Sequence, residues 1–262
     1  QADKRIVILT SGGDCPGLNA VIRGSLKSAN QLGYDCIGFR RGYEGLVDPV
    51  SYVALNHKNT AGILNQGGTI LGSTNQGRFA ATVGVADRVE LDSELLAGVK
   101  TTVQQLGLCG LVCVDGDGSL AVTQQFHEHG IPVVDVPKTI DNDLLATAFT
   151  FGFDSAVACA IDALDWLHTT AARHERPMVL EVMGRHAGWI ALHAGIAGGG
   201  DVILIPELDW TLENVCQKIL DRESRVELGS YDTLAKELGE LEGEEKVFDT
   251  WMDSSNSNLF VS

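Results

Sequence analysis

Positive charge is scarce in this chain. There are 19 Lys and Arg against 35 Asp and Glu, a formal net charge of −16. Nucleic-acid binding rests on neutralising backbone phosphates, so no nucleic-acid partner is expected, although an anionic ligand would still need a locally basic cleft. The six cysteines (Cys15, Cys36, Cys109, Cys113, Cys159 and Cys216) form no CxxC pair and no zinc-type spacing with histidine. Buried free thiols are expected, with Cys109 and Cys113 in or beside an apolar strand, in a reduced cytoplasmic setting. No run reaches the ~18 apolar residues of a membrane helix, and no signal-peptide hydrophobic region opens the chain, so a soluble, cytoplasmic protein with no membrane contact is expected. Proline is also rare, at 6 residues, whereas hydrophobic residues make up 44%, which excludes a wholly disordered chain.

Glycine, by contrast, is plentiful at 30 residues, and it gathers at the ends of apolar runs rather than along a linker. Lys4–Thr10 runs into Ser11-Gly12-Gly13, and helical spacing resumes from Leu18 to about Leu32. Leu108–Val114 runs into Asp115-Gly116-Asp117-Gly118-Ser119 before a helical Leu120–His129, and Pro132–Val136 runs into Pro137–Asp143. Helical stretches near Ser155–Thr170 and His186–Ala197 alternate with the strands Met178–Val182 and Val202–Ile205, and Leu212–Arg225 reads as a further helix. Near-continuous apolar strands alternating with amphipathic helices predict an α/β fold, doubly wound, with mostly parallel sheets covered on both faces. Ligands in such sheets sit beyond the carboxyl ends of the strands, where these glycines and aspartates lie. After Glu207 the character changes. Leu234–Lys246 reads as a solvated acidic helix, and the last residues, with no strand signal, are expected to fray.

Three loops carry candidate chemistry. In Gly12–Asn19 the glycines let backbone approach an anion, the following helix start offers free N–H donors, and Pro16 stiffens the turn. The pattern is neither a Walker loop nor GxGxxG, and a plain structural glycine turn remains open. In Gly116-Asp117-Gly118-Ser119 an Asp flanked by glycines can hold Mg²⁺ beside a phosphate chain, or merely cap the helix. In Pro137-Lys138-Thr139-Ile140-Asp141-Asn142-Asp143, two carboxylates beside a lysine suit phosphoryl transfer to an alcohol. Asp141 would receive the hydroxyl proton, Lys138 would offset phosphate charge, and Asp143 would steer Asp141 or the metal. An exposed polar turn is the alternative.

At these loops the sequence resembles the phosphofructokinase family. Thr10–Gly24 (TSGGDCPGLNAVIRG), Gly67–Ser73 (GGTILGS), Gly116–Ser119 (GDGS), Pro137–Leu144 (PKTIDNDL), Glu181–Leu192 (EVMGRHAGWIAL) and Asp201–Glu207 (DVILIPE) match in identity, order and spacing over about residues 4–225. The resemblance implies a glycolytic kinase, a transferase taking the γ-phosphoryl of ATP to the 1-hydroxyl of fructose 6-phosphate. It implies that Gly13 meets the donor phosphates and that Gly116, Asp117, Gly118 and Ser119 bind nucleotide, with Asp117 the Mg²⁺ ligand. Thr139 and Asp141 would meet the sugar phosphate, with Asp141 as base, and Met183, Gly184 and Arg185 would line its site. Arg176 has the spacing of an arginine that reaches the 6-phosphate across a subunit interface, so a homo-oligomer with shared sites is implied. His186 is expected to pack or hydrogen-bond rather than catalyse, and Arg23 is read as a helix-surface residue beside a possible effector site.

The donor combination is mixed. In the family, Gly at position 118 goes with ATP, whereas Lys at 138 goes with pyrophosphate. An added carboxylate at 118 would set charge against the nucleotide's α-phosphate, so Gly118 is the harder constraint and ATP is expected. Three departures stand out: no arginine directly follows Ser73, leaving Arg78 as candidate, and neither a later strand ending in a sugar-binding glutamate nor a His/Arg-Gly-Gly segment follows Arg225. The expected organisation is therefore a donor-binding lobe (1–138), a partial sugar-phosphate lobe (139–225) and a divergent, poorly ordered acidic tail (226–262). Donor binding is expected to survive better than sugar turnover, and a non-catalytic nucleotide-binding subunit is the alternative.

Overall fold

The apolar run Arg5–Thr10 becomes β1, an inner strand of a six-stranded sheet. The computed structural model describes residues 4–74, 77–79, 90–145, 147–174, 176–223 and 257–261. Two compact units emerge. The first comprises Gln1–Thr139 and Leu144–Gly152, the second Ile140–Asp143 and Phe153–Ser262.

In the first unit β1 is followed by α1 (Leu18–Gln31), β2 (Asp35–Phe39), a 3₁₀ turn (Gly42–Leu46), β3 (Tyr52–Ala54), α2 (Ser93–Gln105), β4 (Leu108–Asp115), α3 (Asp117–Glu128), β5 (Val133–Thr139) and β6 (Phe151–Gly152). The strand order is β3-β2-β1-β4-β5-β6, parallel throughout except for β3, which lies antiparallel to β2 at one edge. Successive side chains of β1 point to opposite faces. Val7 and Leu9 join a core with Val99 of α2 and Phe126 of α3, while Ile8 joins Ile22 and Leu26 of α1 on the other side. Each such fully buried aliphatic side chain contributes about 1.5–3 kcal/mol. Both faces being covered explains why these strands read as continuous apolar runs rather than alternating ones. From β1 the chain first builds outward on one side, to β2, and later returns to the other, to β4. The crevice at that switch point opens beyond the carboxyl ends of β1 and β4, where Ser11–Gly17 and Gly116–Ser119 lie.

In the second unit α4 (Phe153–His174), β7 (Met178–Val182), α5 (Trp189–Gly198), β8 (Val202–Leu204), α6 (Leu212–Glu223) and β9 (Ser257–Val261) follow in order. Its sheet is ordered β7-β9-β8, with β9 antiparallel to both neighbours. The sequence shows no strand signal at the C-terminus, yet Ser257–Val261 pairs along the whole of β7 and along β8. An inserted strand is selected by the two edges it satisfies, which lie far away in sequence. The acidic stretch Leu234–Lys246 lies outside the described residues.

All six cysteines are free thiols, but only Cys15, Cys36, Cys113 and Cys216 are buried. Cys109 and Cys159 are exposed, contrary to expectation: Cys109 is the second residue of β4, where the strand's covering has only begun. Among the described residues, no helix is long and apolar enough to cross a membrane.

Candidate functional site

Three adjacent parallel strands of the first unit deliver its candidate residues. The loop after β1 turns at Gly12 (φ 74°) and reaches α1 through Gly17 (φ 96°), a left-handed N-cap. The loop after β4 is shorter still: Asp115 ends the strand, Gly116 is the N-cap and Asp117 opens α3. Neither helix start is capped by a side-chain hydrogen bond, so their first N–H groups remain for an anion. Lys138, near the end of β5, is buried, and its Nζ donates to the Gly13 carbonyl at 2.6 Å. A Cβ built on Gly12 would lie 3.4 Å from that Nζ and 3.6 Å from Ser119 Oγ, and one on Gly116 would lie 3.8 Å from the same Nζ. Gly12, Gly13, Gly116, Ser119 and Lys138 therefore converge. A Cβ on Gly13 would meet nothing within 4 Å, which leaves that side open. An ammonium among glycine backbones and helix starts is the chemistry of a polyphosphate site. Thr139 ends β5, pairs with Gly152, and accepts from Thr150 Oγ1 at 2.6 Å through its carbonyl.

Two supports of this site were not singled out by sequence reasoning. Buried Asn19 donates through Nδ2 to the Gln66 carbonyl at 2.9 Å and accepts from the Ile70 N–H at 2.8 Å, tying the segment Gly67–Ser73 to α1. Asp115 is fully buried, and its Oδ2 accepts a hydrogen bond from the Tyr43 hydroxyl. Burial pushes its carboxyl up to about 7; the Tyr43 bond and the Lys138 charge pull the other way, and Asp135 adds to the rise. Ligand atoms of Cys113, Asp115 and Asp135 lie within 4.8 Å of one another. Burial holds Cys113 as a protonated thiol and also raises Asp135, which accepts from Thr123 at 2.8 Å, so the trio is better suited to sharing protons than to caging a cation. The one signal in the sequence is an aspartate closing the apolar run LCGLVCV; nothing marks Tyr43.

The second unit carries the remaining candidates. Ile140 packs in the same apolar cluster as Val182, so Asp141 and Met183 each leave that cluster by one residue. Asn142 (φ 54°) and Arg185 (φ 55°) are two of three non-glycine residues with left-handed backbone among those described, and both fall in motif loops. Asn tolerates this region, but Arg there costs about 1–3 kcal/mol, strain typical of functional loops. The turn is closed by the Ala187 N–H donating to the Gly184 carbonyl at 2.8 Å. Asp143 and His186 are exposed, so His186 is not packed as expected. Arg176 precedes β7 while Met183–Arg185 follow it, a strand length away, roughly 17–20 Å. Within one copy the two arginines are not brought together.

Gly188 shows how tightly this unit is built. Its N–H donates to Glu207 Oε1 at 2.8 Å, and an added Cβ would collide with Ile205 and with Glu207. Gly188→Ala is expected to lower stability by about 1–3 kcal/mol. Chemical denaturation followed by tryptophan fluorescence tests this, and an unchanged midpoint would show that the loop gives way freely.

The comparisons with known proteins bear on the whole arrangement. The family model described as Phosphofructokinase matches residues 5–235. The chain belongs to the phosphofructokinase family. It is 51% identical over 222 residues to the ATP-dependent 6-phosphofructokinase of Chloroflexus aggregans, an alignment covering 85% of this chain and 62% of that protein. It is 47% identical over 220 residues to the pyrophosphate–fructose 6-phosphate 1-phosphotransferase of Streptomyces coelicolor, covering 83% and 61%. The structure of phosphofructokinase from Saccharomyces cerevisiae superposes with a TM-score of 0.75 at 29% identity, over 85% of this chain and 32% of that one. The chain thus spans about three fifths of the curated relatives it matches.

Of two arginines near the motif loops, one departs from what the family resemblance suggested and the other does not. Arg78, the candidate phosphate contact, bonds Glu44 through Nε at 3.0 Å, Nη2 at 2.9 Å and its backbone N–H at 2.6 Å, so its charge is already matched. Arg23 donates to the carbonyl and hydroxyl of Thr60, in keeping with a helix-surface residue. A cavity of about 500 Å³ does open beside Arg78, but Asp48, Glu90, Asp92 and Glu94 line it. A polyanion would be repelled there.

Proposed function

We propose that this chain is a 6-phosphofructokinase that transfers the γ-phosphoryl of ATP to the 1-hydroxyl of fructose 6-phosphate in the glycolytic cytoplasm. The observation that carries the reading is the Lys138 ammonium set among Gly12, Gly13, Gly116 and Ser119. Phosphoryl transfer is chiefly positioning and charge stabilisation, and this group of donors offers both. The first unit holds the donor through Gly13, Gly116, Asp117, Gly118, Ser119 and Lys138. Asp141, Met183, Gly184 and Arg185 of the second unit, with Thr139 of the first, are assigned to the sugar phosphate. Asp141 takes the proton of the attacking hydroxyl, and Asp143 steers it.

The residues fit a magnesium ion. Asp117 opens α3 beside two glycines, and Mg²⁺ prefers one or two carboxylates plus phosphate oxygens. When bound it would offset charge on the transferred phosphoryl group. Arg176, a strand length from Arg185, suits a site completed by another copy, which supports the homo-oligomer implied by the resemblance.

Lys138 also favours a second reading, pyrophosphate as donor, and so does the Streptomyces relative at 47% identity. Formation of fructose 1,6-bisphosphate, measured with each donor in turn, separates the two; product from neither would leave a nucleotide-binding subunit. Lys138→Met is expected to weaken binding of the magnesium–donor complex about 10- to 100-fold, as loss of one charge-assisted bond does. Titration calorimetry reads this, and unchanged affinity would remove Lys138 from the site.

A further inference from the structure

Gly116–Ser119 forms the N-cap and first turn of α3, where the Ser119 and Leu120 N–H groups donate to the Gly116 carbonyl at 3.1 Å. Two of its four residues are glycines, and a glycine-flanked turn is entropically cheap to deform. A ligand held by backbone N–H groups loses affinity with every orientation those groups can wander into. A fixed contact from outside the turn narrows those orientations further.

The structure offers one hydroxyl in the right place. Tyr43 lies in the 3₁₀ turn Gly42–Leu46 and is only 2% exposed. Its ring is wedged between Phe79 and Phe126, each centroid 5.6 Å away. The turn is pressed against the end of β1, since a Cβ on Gly42 would come within 3.0 Å of the Thr10 carbonyl. With its ring fixed, the Tyr43 hydroxyl donates to Asp115 Oδ2, the last residue of β4, and lies 3.4 Å from the Ser119 carbonyl in the first turn of α3. The two contacts flank Gly116–Gly118 on either side. Asp115 Oδ1 is buried and has no hydrogen-bond partner among the described residues. A carboxyl kept out of water and satisfied on one oxygen alone is costly to keep there.

We propose that Asp115 is a positioning residue for the phosphoryl donor: by fixing the Tyr43 hydroxyl beneath Gly116–Ser119, it sets the direction in which the first N–H groups of α3 meet a polyphosphate. The inference rests on reading the first unit as the donor half-site. Asp115 itself touches no donor atom. It acts through Tyr43, and the tether reaches both ends of the segment Gly116–Ser119.

The test uses the full 262-residue chain, with MgATP and magnesium pyrophosphate as probes in titration calorimetry. Tyr43→Phe removes the donor of the tether and Asp115→Leu its acceptor. Each is expected to weaken donor binding about tenfold, and the double variant no further than Tyr43→Phe, because both break the Tyr43–Asp115 bond. Asp115→Asn keeps an oxygen that can accept from Tyr43, and is expected to stay within about twofold of the parent. Amide hydrogen exchange at residues 116–120 is expected to quicken in Tyr43→Phe without any ligand. A purely structural role would lower the melting temperature while leaving affinity and local exchange in the folded protein unchanged, and that result overturns the proposal. So does a double variant whose losses add, or an Asp115→Asn protein as weak as Asp115→Leu. If Asp115→Leu does not fold, Tyr43→Phe, Asp115→Asn and the exchange measurement still decide. A parent that binds neither donor defeats the donor reading, whereas unchanged exchange in Tyr43→Phe defeats the tether itself.

Discussion

Asp141→Asn is expected to cut the rate of fructose 1,6-bisphosphate formation by about a thousandfold while leaving MgATP affinity within about twofold. The split follows from where the residue sits. Asp141 belongs to the second unit, at the turn that leaves the Ile140–Val182 core, whereas the residues proposed to hold the donor belong to the first. An amide keeps the size of the carboxylate and much of its hydrogen bonding, but it cannot take a proton from the attacking hydroxyl. General-base contributions run to about 10²–10⁴ in rate, and an Asp-to-Asn change removes nearly all of this. A coupled assay at saturating donor measures the rate and calorimetry the affinity. Turnover unchanged in Asp141→Asn would mean another group takes the proton. A parallel fall in ATP affinity would mean Asp141 belongs to the donor side instead.

Asp115 carries the second large effect, which concerns stability rather than turnover. Its carboxyl titrates near 7 in the folded protein because burial outweighs the Tyr43 bond, against about 3.9 in an unfolded chain. Between those values the folded state holds a proton that the unfolded state has released, so stability falls as pH rises. The contribution is intact below about pH 4, declines through pH 5 and 6, and levels off above about 7. Between pH 5 and 8 the loss is about 3 kcal/mol at ~1.4 kcal/mol per unit. Asp115→Asn has no proton to lose there. Urea unfolding of both proteins in magnesium-free buffer at pH 5, 6, 7 and 8 is expected to show the parent losing ground steadily to the variant, by about 3 kcal/mol in all. Parallel curves would mean that Asp115 reaches enough water to titrate normally.

The structure brings candidate residues together where chemistry and chain order coincide. Gly12, Gly13, Gly116, Ser119 and Lys138 each lie at or just past the end of an apolar run, and parallel strands bring such ends to one edge of a sheet. Arg78 failed for the opposite reason. Its spacing after Ser73 suggested a phosphate contact, but Glu44, 34 residues earlier, holds its guanidinium. The strand at 257–261 was missed because its reason for being a strand lies in β7 and β8. Tyr43 was missed because a tyrosine in a Gly-Tyr-Glu-Gly turn looks the same whether its hydroxyl faces water or a buried carboxyl.

What the amino-acid order determined alone was local: the period of the apolar residues, the glycine stops, and the motifs that place this chain in its family. These depend on neighbours a few residues apart, and short-range sterics and burial decide them. Tertiary structure alone decided which charges are matched, which carboxyl is kept from water, and which strand fills the gap in the second sheet. Those outcomes depend on distances between residues remote in the chain, and electrostatics and desolvation act across space without regard to sequence separation.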